Sequence, residues 1–303
     1  MYEFNSDNLS FVGGFQNEIY SFQKNIEEYI LRIGDSEHMT HNLVRAEMDW
    51  NVYLAENNVP AIRPTQSNNG RLVEKIEKDS GYFNAVVFEK AEGEHLNDSD
   101  LLNWSDELLI NYGKIIGRMH ALAKKFEPLE SKRFEFQCSV DIPHLLKDDD
   151  TETVKRARKI LLEAENLPKH KDSYGLVHGD LHTHNFFVKN DKITAIIDFE
   201  YSCYKWFISD ISVALYYVLY WKPQLNQDIL KKIAKRFLLL FMKGYETENK
   251  LNANCMEKID LFIKVREVIL LMYIPRHHEY RESRVNRLKE DNYINIQEIL
   301  EEL

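Results

Sequence analysis

Short apolar runs separated by glycine and polar turns dominate the first third of the chain. β-branched and aromatic residues cluster in these runs, which is typical of strands, and the short turns between them indicate antiparallel pairing. We predict strands at residues 11–12, 19–22, 29–33, 72–76 and 85–88. Between the third and the fourth of these runs, apolar residues recur at helical spacing from Val44 to Ala55, which predicts a helix over residues 39–57.

After Gly93 the pattern changes to long amphipathic repeats. Apolar residues between Leu109 and Ala123 recur every three or four positions, which predicts a helix over residues 101–126. Further helices are predicted at residues 152–166, 226–247, 256–274 and 284–302. Three predicted strands interrupt them, at residues 175–178, 186–189 and 194–198. A sheet with one helix followed by a mostly helical region is typical of an α+β fold.

The composition is that of a folded chain with a sizeable core. Of the 303 residues, 44% are apolar and 29% are charged, which excludes intrinsic disorder. The chain has 49 acidic and 39 basic side chains and a net charge of −10. Nucleic acids and anionic membranes bind positive patches, so we expect neither as a partner. Residues 1–95 hold 16 acidic and 8 basic side chains, so most of the acidity belongs to the N-terminal region.

Cysteine usage and the absence of targeting signals indicate a cytoplasmic protein. Cys138, Cys203 and Cys255 are far apart and odd in number, so neither a disulfide framework nor a thiolate zinc site is expected. The first residues contain no basic start with an apolar signal core. The longest nearly apolar run, residues 211–221, is shorter than the roughly 20 residues that span a bilayer. The sequence carries no signal for the oligomeric state.

Residues 174–200 carry the most specific chemistry. His178 and Asp180 are followed by four residues and Asn185, and a later apolar strand ends at Asp198. Phosphoryl transfer needs a carboxylate that orients the acceptor hydroxyl and oxygen ligands that hold Mg²⁺ against the phosphates. Carboxylate and amide oxygens are ligands that such a hard cation prefers. The pattern therefore indicates phosphoryl transfer, with Asp180 in the first role and Asn185 and Asp198 in the second.

This spacing of H-x-D, N and D-F-x resembles the catalytic and metal loops of protein kinases. The versions in this chain, HGDLHTHN and IIDFE, are similar more specifically to the aminoglycoside phosphotransferase and choline kinase superfamily. The resemblance implies a bilobal protein-kinase-like fold, with a β-rich nucleotide-binding lobe over residues 1–92 and a mostly helical lobe over residues 93–303. It also implies a small-molecule kinase that uses ATP or GTP with Mg²⁺ and phosphorylates a small hydroxylated acceptor. Asp180 would be the catalytic base, and Asn185 and Asp198 the Mg²⁺ ligands.

Positions in the N-terminal region match the same superfamily. Residues 10–20, with Gly13 and Gly14, resemble the hairpin that covers the phosphates. Arg32 takes the position of the kinase lysine, and its planar guanidinium can bind phosphate oxygens bidentately. Glu47 on the following helix would be its ion-pair partner.

Other positions match as well. Residues 88–93 resemble the kinase hinge, where the backbone of Glu89 and Ala91 would hydrogen-bond to adenine. Asp210 resembles the buried aspartate that supports the catalytic loop. We expect His178 to hydrogen-bond within this loop and His182 to approach the phosphates.

Other functions stay open at this point. Arginine at position 32 in place of lysine is compatible with a kinase-like binding protein without turnover. His178, His182 and His184 lie beside an aspartate, and histidine favours Zn²⁺, so a metallohydrolase is an alternative, although the spacing H-E-x-x-H is absent. A protein kinase is a further alternative, although no clear activation segment follows Asp198.

The charge balance also bears on the acceptor. A polycationic acceptor is expected to occupy a pocket lined by carboxylates. Residues 96–303 hold 33 acidic and 31 basic side chains and are nearly balanced. A monocationic, zwitterionic or neutral acceptor therefore fits the sequence at least as well as a polycationic antibiotic.

Overall fold

The computed structural model describes residues 2, 8–14, 16–96, 104–138, 146, 149–220, 226–251, 253–274 and 277–303. The chain divides into two compact units. The first comprises Met1–His95, Lys125–Phe134 and Asn185–Ser202, and the second comprises Leu96–Lys124, Glu135–His184 and Cys203–Leu303. Two later segments therefore fold with the N-terminal residues. The lobes over 1–92 and 93–303 stay a prediction, and the first three positions of the predicted helix 101–126 lie outside the described residues.

We number the strands and helices of the described residues in chain order. The strands are β1 (Ser10–Gly13), β2 (Asn17–Lys24), β3 (Glu27–Asp35), β4 (Pro64–Thr65), β5 (Glu74–Glu77), β6 (Tyr82–Glu89), β7 (Tyr174–Val177), β8 (Phe186–Lys189), β9 (Lys192–Ile196) and β10 (Cys203–Trp206). The helices are α1 (His41–Glu56), α2 (Asp106–Ala123), α3 (Thr151–Glu165), α4 (Ile208–Tyr220), α5 (Gln227–Tyr245), α6 (Ala253–Met256), α7 (Ile259–Tyr273), α8 (Arg281–Glu290) and α9 (Ile296–Glu301).

The first unit contains an antiparallel sheet with one helix against it. The strand order is β1-β2-β3-β6-β4, with β5 also paired to β6. Side chains alternate between the two faces of a strand. On β6, Val86 and Phe88 therefore pack with Val44 and Met48 of α1, whereas Val87 packs in a second apolar cluster. The same alternation places neighbouring side chains of β3 on opposite faces. Leu31 belongs to the second cluster, whereas the side chain of Arg32 contacts α1.

The β8–β9 hairpin completes the first unit and leads into Asp198. The N–H of Ile62 donates to the carbonyl oxygen of Ile196 at 2.9 Å, and the N–H of Ile196 donates to that of Pro60 at 2.7 Å. Buried Arg133 donates to the carbonyl oxygens of Ser202 and Leu43, each at 2.8 Å, and to that of Glu200. These contacts fix the chain on both sides of Asp198 relative to α1.

The second unit is mostly helical, with β7 and β10 paired antiparallel. Polar side chains begin several of its helices: Ser105, Asp150, Asn226 and Asn295 each accept backbone N–H groups of the first turn of α2, α3, α5 and α9 respectively. Such caps satisfy N–H groups that have no partner within the helix. No helix among the described residues is long and apolar enough to cross a bilayer.

The structure departs from the sequence-based elements at several places. Every residue of α4 is buried, so its sequence lacks an amphipathic pattern and no helix was predicted there. The helix predicted over 284–302 is two helices, because Asp291 has a left-handed backbone with φ of 55° that ends α8. The strand predicted over 194–198 ends at Ile196, and Asp198 is itself left-handed with φ of 62°. The two short strands β4 and β10 were not predicted.

Helices α2 and α5 cross at a point where both carry glycine. A Cβ atom added at Gly113 would lie 1.9 Å from the carbonyl oxygen of Phe241, and one added at Gly244 would lie 1.9 Å from that of Ile110. These distances are far below van der Waals contact, so the crossing has no room for a side chain at either position.

We expect Gly113→Ala to lower the free energy of unfolding by about 1–3 kcal/mol or more, because the methyl group must force the two helices apart. Urea denaturation measures this change. Lys114→Ala, at the next and exposed position of the same helix, is the control and should change stability by less than about 0.5 kcal/mol. Equal stability of the two variants would contradict the close crossing.

Candidate active site

Asp180 lies in the second unit, in the loop that joins β7 to the 3₁₀ helix Thr183–Asn185. The buried Asp210, in the first turn of α4, accepts the N–H of His178 at 2.9 Å and that of Gly179 at 2.8 Å. The Nδ1 atom of His178 in turn accepts the N–H of Asp180 at 3.3 Å. Gly179 has φ of +83°, which glycine adopts without strain. The backbone immediately before Asp180 is thus fixed.

Helix α2 supplies two further contacts to this loop. The Nε2 atom of His120 lies 3.3 Å from Asp210 Oδ2, and its Nδ1 atom lies 2.9 Å from the hydroxyl of Tyr245. The hydroxyl of Tyr112 donates to the carbonyl oxygen of Leu181 at 2.6 Å. Burial would raise the pKa of Asp210, but the hydrogen bonds from His120 and from the N–H of Gly179 outweigh it and lower the pKa. Asp210 therefore stays ionised and keeps accepting the loop N–H groups.

The Asp180 side chain is 13% exposed and is held by groups from two elements. Its Oδ1 accepts a hydrogen bond from Arg266 of α7, and its Oδ2 lies 3.7 Å from Nε2 of His182. The ring of His182 stacks on Tyr217 of α4, with centroids 4.0 Å apart. Burial would raise the pKa of Asp180, but the Arg266 charge and His182 lower it to about 2. Asp180 is therefore an ionised and weakly basic carboxylate at neutral pH.

In the first unit, Arg32 of β3 forms a two-point ion pair with Glu47 of α1. The distances are 2.7 Å from Nη1 to Oε1 and 2.9 Å from Nη2 to Oε2, and the Glu47 side chain is only 1% exposed. Burial would lower the pKa of Arg32, but the charges of Glu47, Glu200 and Asp198 raise it above its ordinary value. The guanidinium is therefore permanently charged, and the charge of Asp198 acts on it.

Asn185 and Asp198 belong to the first unit and flank the β8–β9 hairpin. Asn185 is buried, and its carbonyl oxygen accepts the N–H of Ile197 at 2.9 Å. Asp198 is exposed. Two residues later, the buried Glu200 accepts a hydrogen bond of 2.5 Å from the Nδ2 atom of Asn17, at the start of β2. The segment that carries Asp198 is thereby linked to the strand that follows Gly13 and Gly14.

Gly13 is the last residue of β1, and Gly14 follows it in the connection to β2. The next residue, Phe15, lies outside the described residues. Gly14 has φ of +144°, and a Cβ atom there would lie 1.8 Å from the carbonyl oxygen of Asn17, so this position requires glycine.

Glu89 is the last residue of β6, and Ala91 lies just after the strand. Glu89 pairs with Tyr29 of β3, and Ala91 follows the last strand residue by two positions. The N–H of Lys90 donates to the carbonyl oxygen of Glu28 at 3.1 Å, so β3 still binds the chain between the two positions.

The structure thus brings the candidate residues together in two groups. In the second unit, His178, His182 and Asp210 all contact Asp180 or the backbone beside it. In the first unit, Glu47 contacts Arg32, and the charge of Asp198 acts on Arg32.

Arg266 was not among the residues predicted from the sequence. A signal for it existed, because Arg266 and Glu267 are charged residues within an otherwise apolar stretch of α7, and both are buried. Charged residues are rarely buried unless they are paired. The sequence could therefore have marked Arg266 as a paired residue, but not its partner.

The donor set of Asn185 and Asp198 fits Mg²⁺ by its chemistry. An amide oxygen and a carboxylate are hard ligands, and neither residue offers a thiolate or an imidazole. Among the residues that the structure describes, no group of three or more His, Cys, Asp or Glu side chains is arranged to hold a metal ion.

Comparisons with known proteins give consistent results. A model of the phosphotransferase enzyme family matches residues 9–244. Amicoumacin kinase of Bacillus subtilis (strain 168) is 32% identical over 274 residues, which cover 89% of this chain and 80% of that protein.

Two solved structures show the fold. That of amicoumacin kinase hAmiN, in complex with AMP-PNP, Ca²⁺ and Ami, has a TM-score of 0.87 and 26% identity, and the match covers 98% of this chain and 93% of that one. The microcompartment-associated aminopropanol kinase has a TM-score of 0.73 and 22% identity, covering 93% and 89%. The α+β, protein-kinase-like fold expected from the sequence is confirmed.

Proposed function

Because the chain belongs to the phosphotransferase enzyme family, we propose that it transfers the γ-phosphoryl group of ATP to a hydroxyl group of a small molecule, with amicoumacin as the first candidate acceptor. The chain is a small-molecule kinase, as the sequence predicted, since its relatives over most of its length are kinases of small molecules. This interpretation is favoured over a binding protein without turnover and over a metallohydrolase. ATP rather than GTP is proposed because the hAmiN structure contains AMP-PNP.

The geometry of the Asp180 loop carries the proposal. Asp180 is the catalytic base in our assignment: it accepts a hydrogen bond from the acceptor hydroxyl, orients its oxygen towards the γ-phosphorus and takes up its proton. The phosphoryl group is transferred through a loose transition state, so a weak base with a pKa of about 2 is sufficient once the hydroxyl is oriented. Asp210, His178 and His182 are positioning residues, because each contacts Asp180 or the backbone immediately before it.

The first unit supplies the nucleotide-binding groups in our assignment. Arg32, fixed by Glu47, binds phosphate oxygens, and Gly13 and Gly14 bring the backbone of the β1–β2 turn close to the phosphates. The backbone of Glu89 and Ala91 binds adenine. These roles follow from the match to the superfamily, and the buried two-point ion pair between Arg32 and Glu47 supports them.

Asn185 and Asp198 would hold Mg²⁺. When bound, the ion neutralises the charge on the β- and γ-phosphates and so favours transfer. Asp198 offers an exposed carboxylate on a backbone that is fixed on both sides, whereas Asn185 is buried. The cytoplasmic location and the absence of nucleic-acid and membrane partners stay predictions.

The charge around Asp180 predicts which acceptors are used. The negative charge of Asp180 is already balanced by the positive charge of Arg266, so this carboxylate offers little attraction to a polycation. We expect phosphorylation of amicoumacin or aminopropanol to have a higher kcat/KM than phosphorylation of kanamycin. A coupled ADP-release assay with ATP or GTP and Mg²⁺ measures all three acceptors, and Asp180→Asn is the control for contaminating kinases.

The possible outcomes separate the hypotheses. Turnover of kanamycin alone would contradict the expected acceptor class and leave the kinase function intact. Binding of Mg²⁺–ATP without transfer to any acceptor or to water would favour the binding protein without turnover. Stoichiometric zinc with no nucleotide binding would favour the metallohydrolase.

A further inference from the structure

Arg266 contacts the proposed catalytic carboxylate although it lies 86 residues later in the chain. Its side chain on α7 is 7% exposed. The Nη2 atom donates both to Asp180 Oδ1 and, at 2.6 Å, to the hydroxyl of Tyr217 on α4. The guanidinium carbon also lies 5.1 Å from the centroid of the Tyr217 ring. Tyr217 therefore fixes the guanidinium that Asp180 contacts.

The two oxygens of Asp180 have different surroundings. Oδ1 accepts a hydrogen bond from Arg266, whereas Oδ2 lies 3.7 Å from Nε2 of His182. The charge-assisted hydrogen bond from Arg266 fixes the position of Oδ1 and so restricts the rotation of the carboxylate. The orientation of Asp180 is thus set by a residue outside its own loop.

We propose that Arg266 is a positioning residue for phosphoryl transfer: it holds Oδ1 of Asp180 and thereby orients the carboxylate towards the acceptor hydroxyl. This inference rests on the proposed kinase function. Arg266 acts through Asp180 and does not itself touch the acceptor. Its removal therefore lowers kcat and leaves the affinity for nucleotide unchanged.

The same region provides a matched control. Arg284 of α8 is also buried, at 1% exposure, and it donates to the hydroxyl of Tyr216, the neighbour of Tyr217. Its carboxylate neighbour is Glu267, at 3.8 Å, which keeps Arg287 at 2.7 Å when Arg284 is removed. Arg284→Met therefore removes a buried arginine beside a tyrosine and a carboxylate but leaves the contacts of Asp180 with Arg266, His178 and His182 in place.

The first test compares turnover of amicoumacin in single and double variants. We expect Arg266→Met to lower kcat by about 10²-fold, the order expected when a reacting group is misplaced by about 1 Å. Arg284→Met should lower kcat by less than about threefold. In the background of Asp180→Asn, Arg266→Met should have almost no further effect, because residues that act as a unit are not additive. This double variant also leaves no buried unpaired charge, so it tests the coupling if Arg266→Met alone folds poorly.

The second test uses the pH dependence of the Asp180 carboxyl group. The groups that face it are Arg266 of α7, Tyr217 of α4, Tyr112 of α2, and His178 and His182 of the loop. Burial raises the pKa of Asp180, and without Arg266 mainly His178 and His182 counteract this effect. The pKa of Asp180 therefore rises in that variant. Carbon-13 NMR of aspartate-labelled protein measures this directly, without turnover, and Asp180→Asn assigns the signal.

The expected result is an Asp180 signal that titrates at higher pH in Arg266→Met than in the wild type or in Arg284→Met. Arg266→Lys keeps the charge and should restore the low titration while recovering kcat only in part. Additive losses in the Asp180→Asn background, or equal titration in all variants, would overturn the positioning role. Failure of the kinase function is distinguished by a wild type that transfers phosphate neither to acceptors nor to water, and in that case the NMR titration still decides whether Arg266 fixes Asp180.

Discussion

Replacement of Asp180 by asparagine is expected to lower kcat by about 10²–10⁴-fold, the usual loss when a general base is removed. Asparagine keeps an oxygen that accepts from Arg266, so the loop should keep its conformation. It cannot take up the proton of the acceptor hydroxyl. Nucleotide binding should change little, because the groups that we assign to the nucleotide belong to the first unit, whereas Asp180 belongs to the second.

Steady-state kinetics and calorimetric titration with Mg²⁺–AMP-PNP measure the two quantities. Glu267→Gln is a suitable control, because it removes the charge of another buried carboxylate that pairs with arginine in the same unit. It should reduce stability but retain most of the turnover per folded molecule. Full activity of Asp180→Asn would contradict the assignment of Asp180 as the catalytic base.

Replacement of Asp198 by asparagine is expected to weaken binding of Mg²⁺–nucleotide itself. Loss of a partner in the outer shell of a metal site lowers metal affinity about 10–100-fold. Loss of the charge of a direct ligand should lower it by at least as much. The backbone of Asp198 is left-handed, and asparagine tolerates that conformation, so the chain should not be strained by the change. The variant therefore isolates the carboxylate charge.

Titration with AMP-PNP in the presence and absence of Mg²⁺ checks this prediction. Asp191→Asn is a matched control, since Asp191 is also exposed, lies in the same unit and has a left-handed backbone with φ of 58°. It should bind nucleotide like the wild type. If Asp198→Asn and Asp180→Asn lose nucleotide affinity equally, the separate roles of the two aspartates are wrong.

Several features of this protein could be predicted from its sequence. The H-x-D-x-x-x-x-N and D-F-x spacings lie within one short stretch, so they identified the family and the chemistry without knowledge of the fold, and the comparisons confirmed both. Strongly amphipathic segments were also predicted well. The helix predicted over 226–247 is α5, Gln227–Tyr245, because one face of it is buried and the other is exposed.

Segments that are buried on all sides were predicted poorly. A periodic pattern of apolar and polar residues arises only where one face of a segment is buried and the other is exposed. All of α4 is buried, and its apolar sequence gives no alternation that could distinguish a helix. Yet α4 carries Asp210 and Tyr217, which hold the Asp180 loop and Arg266.

The sequence by itself determined which residue types could perform phosphoryl transfer, because the spacing of Asp180, Asn185 and Asp198 is local in the chain. Only the tertiary structure decided which distant residues hold Asp180, namely Asp210 beside its backbone and Arg266 at its carboxylate. The physical reason is that a pattern of apolar residues specifies which face of a helix is buried, but not which side chain of another element meets that face. Packing of α4 and α7 in the second unit makes that choice.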